Sequence, residues 1–287
     1  MRFVLPALAL VASLASPALA EEGMADDVLY FGTKNHVKLG TGIGFVSVDG
    51  GSITSLTPTL EGRFAIGEQF GLQVVLPLAF VSISPDVGEG DSRFDLGNPS
   101  IAFEAVLDRG GRGATIVRGG VSLPLLSIDD SLSGIILGFA NSGAALGTYG
   151  GFNLWRYMPE SLGVFGEIVG AVEADGLFME FGAGLGFLIP TNDNVDTELA
   201  IQASAKMGFG STVIPFIGLG FVVIPTEYEN TSDDGDAFQF GVQAGVIAKL
   251  GSARLDVGAQ LNLDSPFGFS FDDGGIFGLN VAATVPF

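Results

Sequence analysis

Apolar and polar residues alternate one by one over long stretches of this chain. From Val195 to Phe209 one set of alternate positions holds Val195, Leu199, Ile201, Ala203, Ala205, Met207 and Phe209. The other set holds Asp196, Glu198, Gln202, Ser204, Lys206 and Gly208. From Phe238 to Leu250, Phe240, Val242, Val246 and Leu250 oppose Gln239, Gly241, Gln243 and Lys249. Beyond that, Leu255, Val257, Leu261 and Leu263 oppose Arg254, Asp256, Gln260 and Asn262. Successive strand side chains point to opposite faces, so each segment has one greasy side and one wet side. Wound as helices, the same segments would carry polar residues all round and keep no dry stripe.

Extended along the chain, the pattern predicts strands at 36–48, 53–66, 69–83, 95–107, 113–126, 161–173, 177–189, 195–209, 211–224, 236–250, 252–264 and 276–287. The connections alternate in kind. Tight ones (IGEQ, DRGGR, EADG, FGS, KLGS) follow every second strand, whereas those after the third, fifth, ninth and eleventh are longer, and most of these are acidic. An even number of strands joined by short turns at one end and long loops at the other is the pattern of an all-β, antiparallel, up-and-down transmembrane barrel. It places the tight turns and both termini in the periplasm. Composition agrees: 47% of residues are hydrophobic and 15% charged, and beyond the first twenty residues no uninterrupted apolar run is long enough for a helical span.

The chain opens with Met1-Arg2, an apolar run and Ala18-Leu19-Ala20, which reads as a signal peptide over residues 1–20. A periplasmic N-terminal segment, 21–35, and an outer-membrane barrel, 36–287, follow. The last strand, GLNVAATVPF, ends on Phe287. It resembles the closing strand of Gram-negative outer-membrane barrels, in which a terminal aromatic is read by the barrel-assembly machinery. The resemblance implies that machinery, outer-membrane lipids and lipopolysaccharide as partners, and Phe287 as the assembly signal. The stretches GRFAIGEQFGLQVVLPLAF, LGNPSIAFEAVLD and GGVSLPLL are similar to transporter-like barrels of the phenol-degradation (MetA-pathway) family. That likeness implies uptake of hydrophobic or aromatic compounds but assigns no residue a role.

One connection departs from the acidic pattern. Residues 127–160 are largely apolar, and Leu132, Ile135, Ile136, Phe139, Ala140, Leu146 and Tyr149 recur at helical spacing behind a possible N-cap at Asp130 or Ser131. Three placements stand open. The segment is a hatch folded into the lumen, with Leu132, Ile135, Ile136 and Phe139 as its gate or plug residues; a cap on the outer rim; or two further strands of a fourteen-stranded barrel.

The face predicted to point inward carries Lys38, Glu61, Arg63, Glu104, Arg118, Glu167, Glu180, Asp196, Glu198, Lys206, Lys249, Arg254 and Asp256. Both signs suit a wet passage and a salt-bridged filling alike. Glycine recurs on the same face in Gly40-x-Gly42-x-Gly44 and Gly182-x-Gly184-x-Gly186, which predicts a smooth stretch of wall with room for a neighbouring aromatic, for bending or for solute.

Chemistry is narrowly bounded. With 12 basic and 32 acidic side chains the formal charge is −20, which argues against nucleic acid and, with the acidic loops, for a cation-attracting rim. No cysteine and one histidine exclude thiolate and imidazole-cluster metal sites, so neither metal nor cofactor is expected. The histidine, His36, falls at the periplasmic start of the first strand without an accompanying serine motif, which argues against an enzyme. The expected function is passive passage of a small solute. The rival is a non-conducting structural or surface-binding barrel that works through its acidic loops.

Overall fold

The computed structural model describes residues 34–48, 50–86, 88–110, 112–128, 132–149, 152–191, 196–224, 238–263 and 276–287. The predicted signal peptide, most of the N-terminal segment and most of the acidic outer-loop residues lie outside them.

The strands are β1 (His36–Val48), β2 (Gly51–Ile66), β3 (Phe70–Pro85), β4 (Asp91–Leu96), β5 (Ser100–Gly110), β6 (Gly113–Ser122), β7 (Ser161–Ala174), β8 (Leu177–Pro190), β9 (Glu198–Phe209), β10 (Val213–Val223), β11 (Phe238–Leu250), β12 (Ala253–Asn262) and β13 (Ile276–Pro286). Except at β4 and β5, each pairs antiparallel with its sequence neighbours, and β1 pairs with β13, so the sheet closes on itself. Both β4 and β5 pair with β3, β4 with its outer part and β5 with its inner part. They are two halves of one stave, and the result is a closed twelve-stranded antiparallel barrel of the outer-membrane kind. The fourteen-stranded alternative is excluded, because Leu132–Tyr149 forms a helix, α1, followed by a 3-10 turn at Leu154–Arg156.

The predicted fourth strand is thus interrupted. Pro99 has no N–H to give a ladder, and Asn98 is fully buried instead of paired. Gly97 allows a close approach: a Cβ there would lie 2.8 Å from the carbonyl oxygen of Arg156 and 2.9 Å from Pro77. The predicted fifth strand stops at Ser122, two residues before Pro124. At the tight end, Asp175 and Gly176 both adopt positive φ (53° and 82°), the pairing a two-residue hairpin turn of the primed type requires.

Closure removes the strand edges except along the short β4, which among the described residues pairs only with β3, and leaves the outer face to hydrocarbon. Leu39, Leu60, Phe103, Leu219 and Val257 are among the large apolar side chains exposed there. Phe287 joins them at the tight-turn rim, edge-on to Phe64 with ring centroids 6.1 Å apart. Replacing mid-strand Leu219, 51% exposed, with arginine is expected to cost about 2–4 kcal/mol of folding free energy in lipid. Urea unfolding of the two proteins in vesicles measures the difference.

Candidate functional site

The inward face holds the predicted polar side chains, and a folded segment lies against them. Lys38, Glu61, Arg63, Glu104, Arg118, Glu167, Glu180, Glu198, Lys206 and Arg254 are all buried. Lys249 and Asp256 also point inward but keep partial exposure near the tight-turn mouth. Asp196 corrects the prediction. Strand β9 begins only at Glu198, so Asp196 stands on the approach to the strand and is exposed to solvent, outside the lumen lining.

Paired charges run along this wall. Arg63 Nε donates to Glu104 Oε2 at 2.5 Å, linking β2 to β5. Arg118 on β6 pairs with Glu167 on β7, and Lys206 Nζ donates to Glu180 Oε1 at 3.0 Å between β9 and β8. Lys249 on β11 reaches Glu173 on β7, and Arg254 Nη2 lies 2.9 Å from Asp256 Oδ1 on its own strand. Glu173 was missed in sequence although alternation carried the signal, since it lies six residues beyond Glu167 on the same face of the same strand. Burial in a low-dielectric interior is tolerable for these charges because opposite charges meet at hydrogen-bond distance.

Helix α1 and residues 152–158 lie in the outer part of the lumen. Helix α1 packs against β1, β2, β3, β4 and β13. Its small residues face the wall, with Ala144, Ala145 and Thr148 at most 2% exposed. Ser55 Oγ and Thr148 Oγ1 lie 2.6 Å apart. A Cβ on either Gly42 or Gly44 would overlap Thr148, so the first glycine series is the floor on which the helix end rests. The second ends in a similar seat. A Cβ on Gly186 would come within 2.6 Å of the ring of Trp155, which stacks on Phe165 with centroids 4.5 Å apart and planes 5° from parallel. Around that ring Phe152, Leu154, Tyr157, Met158, Leu188 and Ala200 form one apolar cluster.

The gate assignments made from the helical spacing fall on this helix, and of the two whose side chains the structure describes, one faces away from the wall. Ile136 is 56% exposed and points away, while Ile135 packs only on the margin of the cluster. The side chains of Leu132 and Phe139 lie outside the described residues. The physical reason is that a glycine-floored wall admits a backbone at close range, which favours short side chains such as alanine and threonine at the contact and leaves the longer Ile136 outside it.

Directional bonds fix the segment in place. Asn98, set in the gap between β4 and β5, donates through Nδ2 to the carbonyls of Trp155 (3.1 Å) and Met158 (2.6 Å), while its backbone N–H donates to Arg156 O at 2.7 Å. Arg93 donates to the carbonyls of Gly134 and Ser127, and Asn141 Nδ2 donates to Asp95 Oδ2 at 2.6 Å. At the lower end, the Asn153 N–H donates to Gln202 Oε1 (2.9 Å), and Gln202 Nε2 donates to Glu167 Oε1 (2.7 Å). Glu167 is the partner of Arg118, whose Nη1 donates to Gln73 Oε1 at 3.3 Å. A continuous relay thus joins the inserted segment to β9, β7, β6 and β3.

Nearer the tight turns, Val106, Ile116, Val169, Phe178, Ile214, Phe216 and Ile247 form a second apolar cluster on one side of the lumen. His36 is buried at the same end, with Nδ1 3.3 Å from Lys34 O. No group of three or more metal-ligating side chains occurs among the described residues.

No protein-family model matches the chain, and no curated protein matches it in sequence. Solved structures share its fold. An outer membrane channel from Pseudomonas putida F1 superposes with a TM-score of 0.62 over 88% of this chain and 95% of that one, at 11% identity. The transport unit of the autotransporter AIDA-I from Escherichia coli gives a TM-score of 0.50 over 99% and 97% at 8% identity. The NanC porin gives 0.50 over 87% and 100% at 3% identity. At these identities the likeness is one of fold, a closed antiparallel β-barrel of the kind these outer-membrane proteins adopt.

Proposed function

We propose that this chain is an outer-membrane channel for small solutes, held closed by the 127–160 segment folded into its lumen. One observation carries the reading. The wall charges pair with one another, Arg63 with Glu104, Arg118 with Glu167, Lys206 with Glu180 and Lys249 with Glu173. Movement of the segment leaves those four pairs made, so a passage lined by both signs opens with these wall charges still compensated, while Arg156, the buried cation of the segment, moves with it. The segment itself is held by hydrogen bonds and by apolar contacts on glycine seats. The hydrogen bonds are individually worth about 0.5–1.5 kcal/mol, a scale suited to a closure that moves. The rival surface-binding reading rests on acidic loops that lie mostly outside the described residues.

A lockable plug tests the proposal. The chain has no cysteine of its own, and Ser55 Oγ and Thr148 Oγ1 are in contact at 2.6 Å, so Ser55→Cys with Thr148→Cys supplies a single bridgeable pair. In planar bilayers the reduced protein is expected to show current bursts, and the oxidised protein a flat trace. Equal currents in both states would remove the plug from the gating role, and a flat trace at every voltage in both would remove the channel reading itself.

A further inference from the structure

The wall of β11, β12 and β13 carries a group of amides that the inserted segment does not use. Gln243 and Gln260 face one another across the β11–β12 pair, and Asn280 stands on β13 opposite Gly258. All three point inward and are 5%, 2% and 5% exposed. Yet Gln243 Oε1, both amide atoms of Gln260 and both amide atoms of Asn280 have no hydrogen-bond partner among the described residues. Buried polar atoms are almost always paired, because an unmade bond there forfeits the hydration it gave up. Gathered on three neighbouring strands, such atoms have bonding capacity to offer a guest once the segment above them moves.

The surroundings define that guest. The wall between the amides is bare glycine: a Cβ on Gly258 would lie 3.0 Å from Gln243 Nε2, and one on Gly278 would lie 3.2 Å from the carbonyl oxygen of Thr148 at the end of α1. The ring edge of Phe216 flanks the floor, 3.6 Å from the same Gly258 position. Asp256 and Arg254, the nearest charges on β12, are bonded to each other at 2.9 Å. Amides offer donors and acceptors in equal measure and no net charge. They suit an uncharged solute that does both, as hydroxyl groups do.

We propose that Gln243, Gln260 and Asn280 form a binding station for an uncharged, hydroxyl-bearing small solute inside the lumen, beneath the end of α1. The station rests on the channel reading above and adds the class of solute to it. Glucose and its anionic counterpart gluconate are the probes. The channel is unseated by Gly44→Val with Gly186→Val, and block of its ion current is titrated with each probe before and after Gln260→Met with Asn280→Leu. These replacements keep side-chain bulk and remove only atoms that lack partners, so the barrel is expected to keep its heat-modifiable migration on gels.

Glucose is expected to block the parent, and the concentration for half-block to rise about tenfold or more in the substituted channel, as loss of two hydrogen bonds implies. Gluconate block is expected to stay unchanged. Equal glucose block in the two channels overturns the station and leaves the channel reading intact. Absence of any current in the folded, unseated barrel overturns both.

Discussion

Valine at both glycine seats, Gly44→Val under the helix and Gly186→Val under the tryptophan, is expected to convert a mostly closed barrel into one that conducts most of the time. At Gly44 a Cβ would overlap Thr148 and Ser55, and at Gly186 it would come within 2.7 Å of two ring atoms of Trp155. Overpacking of this kind costs about 1–3 kcal/mol per site. The seats touch different parts of the segment, so their costs add to about 2–6 kcal/mol against the closed state. Each 1.4 kcal/mol is about a factor of ten in population, so mean current through a planar bilayer should rise at least about tenfold. Valine is favoured in strands, and the barrel itself is therefore expected to fold as before. A current that is measurable but no larger than the parent's in a folded double variant would show that the segment yields at its seats without leaving the lumen.

The barrel was legible in sequence because its physics is repeated at every strand. Hydrocarbon outside and packed polar groups inside impose a period of two, and Met207 against Lys206 or Val257 against Asp256 states it locally. The interior was legible only in part. Arg63, Glu104, Arg118 and Glu167 could be assigned to the inner face from alternation alone. Their pairing needed the register, which sets Arg118 opposite Glu104 on one side and opposite Glu167 on the other. Lys249 and Glu173 needed more, since only the closed barrel brings β11 across to β7.

The inserted segment shows the same limit. Helical spacing announced α1, but the face it buries is decided by a wall assembled from distant pieces. Gly44 lies opposite Gly278 on β13 and opposite Ser55 on β2, so the seat for Thr148 exists only once three strands are in register. Asn98 was hidden inside a predicted strand. The Gly97-Asn98-Pro99 run was the available signal, because proline and glycine together argue against an unbroken central strand. Whether the lumen was open or filled was beyond the pattern altogether, since mixed charges on the inner face suit either state.

Arg63→Met is expected to be the most destabilising single change in the wall, at about 3–5 kcal/mol, because it strands a buried carboxylate. Arg63 and Glu104 are both fully buried, and the 2.5 Å contact between Nε and Oε2 links β2 to β5 across the intervening β3. Removing the guanidinium leaves Glu104 with the desolvation cost and only the attraction of Arg118, which faces it across the β5–β6 pair but is bonded to Glu167. Changing both residues behaves differently. Arg63→Met with Glu104→Met replaces two charges by apolar bulk, and such exchanges are often neutral or stabilising by about 1–4 kcal/mol. Urea unfolding in lipid vesicles of the parent, both single variants and the double variant closes a mutant cycle whose coupling term isolates the pair. A double variant as unstable as Arg63→Met would mean that the arginine acts through other partners. A stable one with an altered ratio of cation to anion current would show that the pair is kept for what passes the wall, since the fold stands without it.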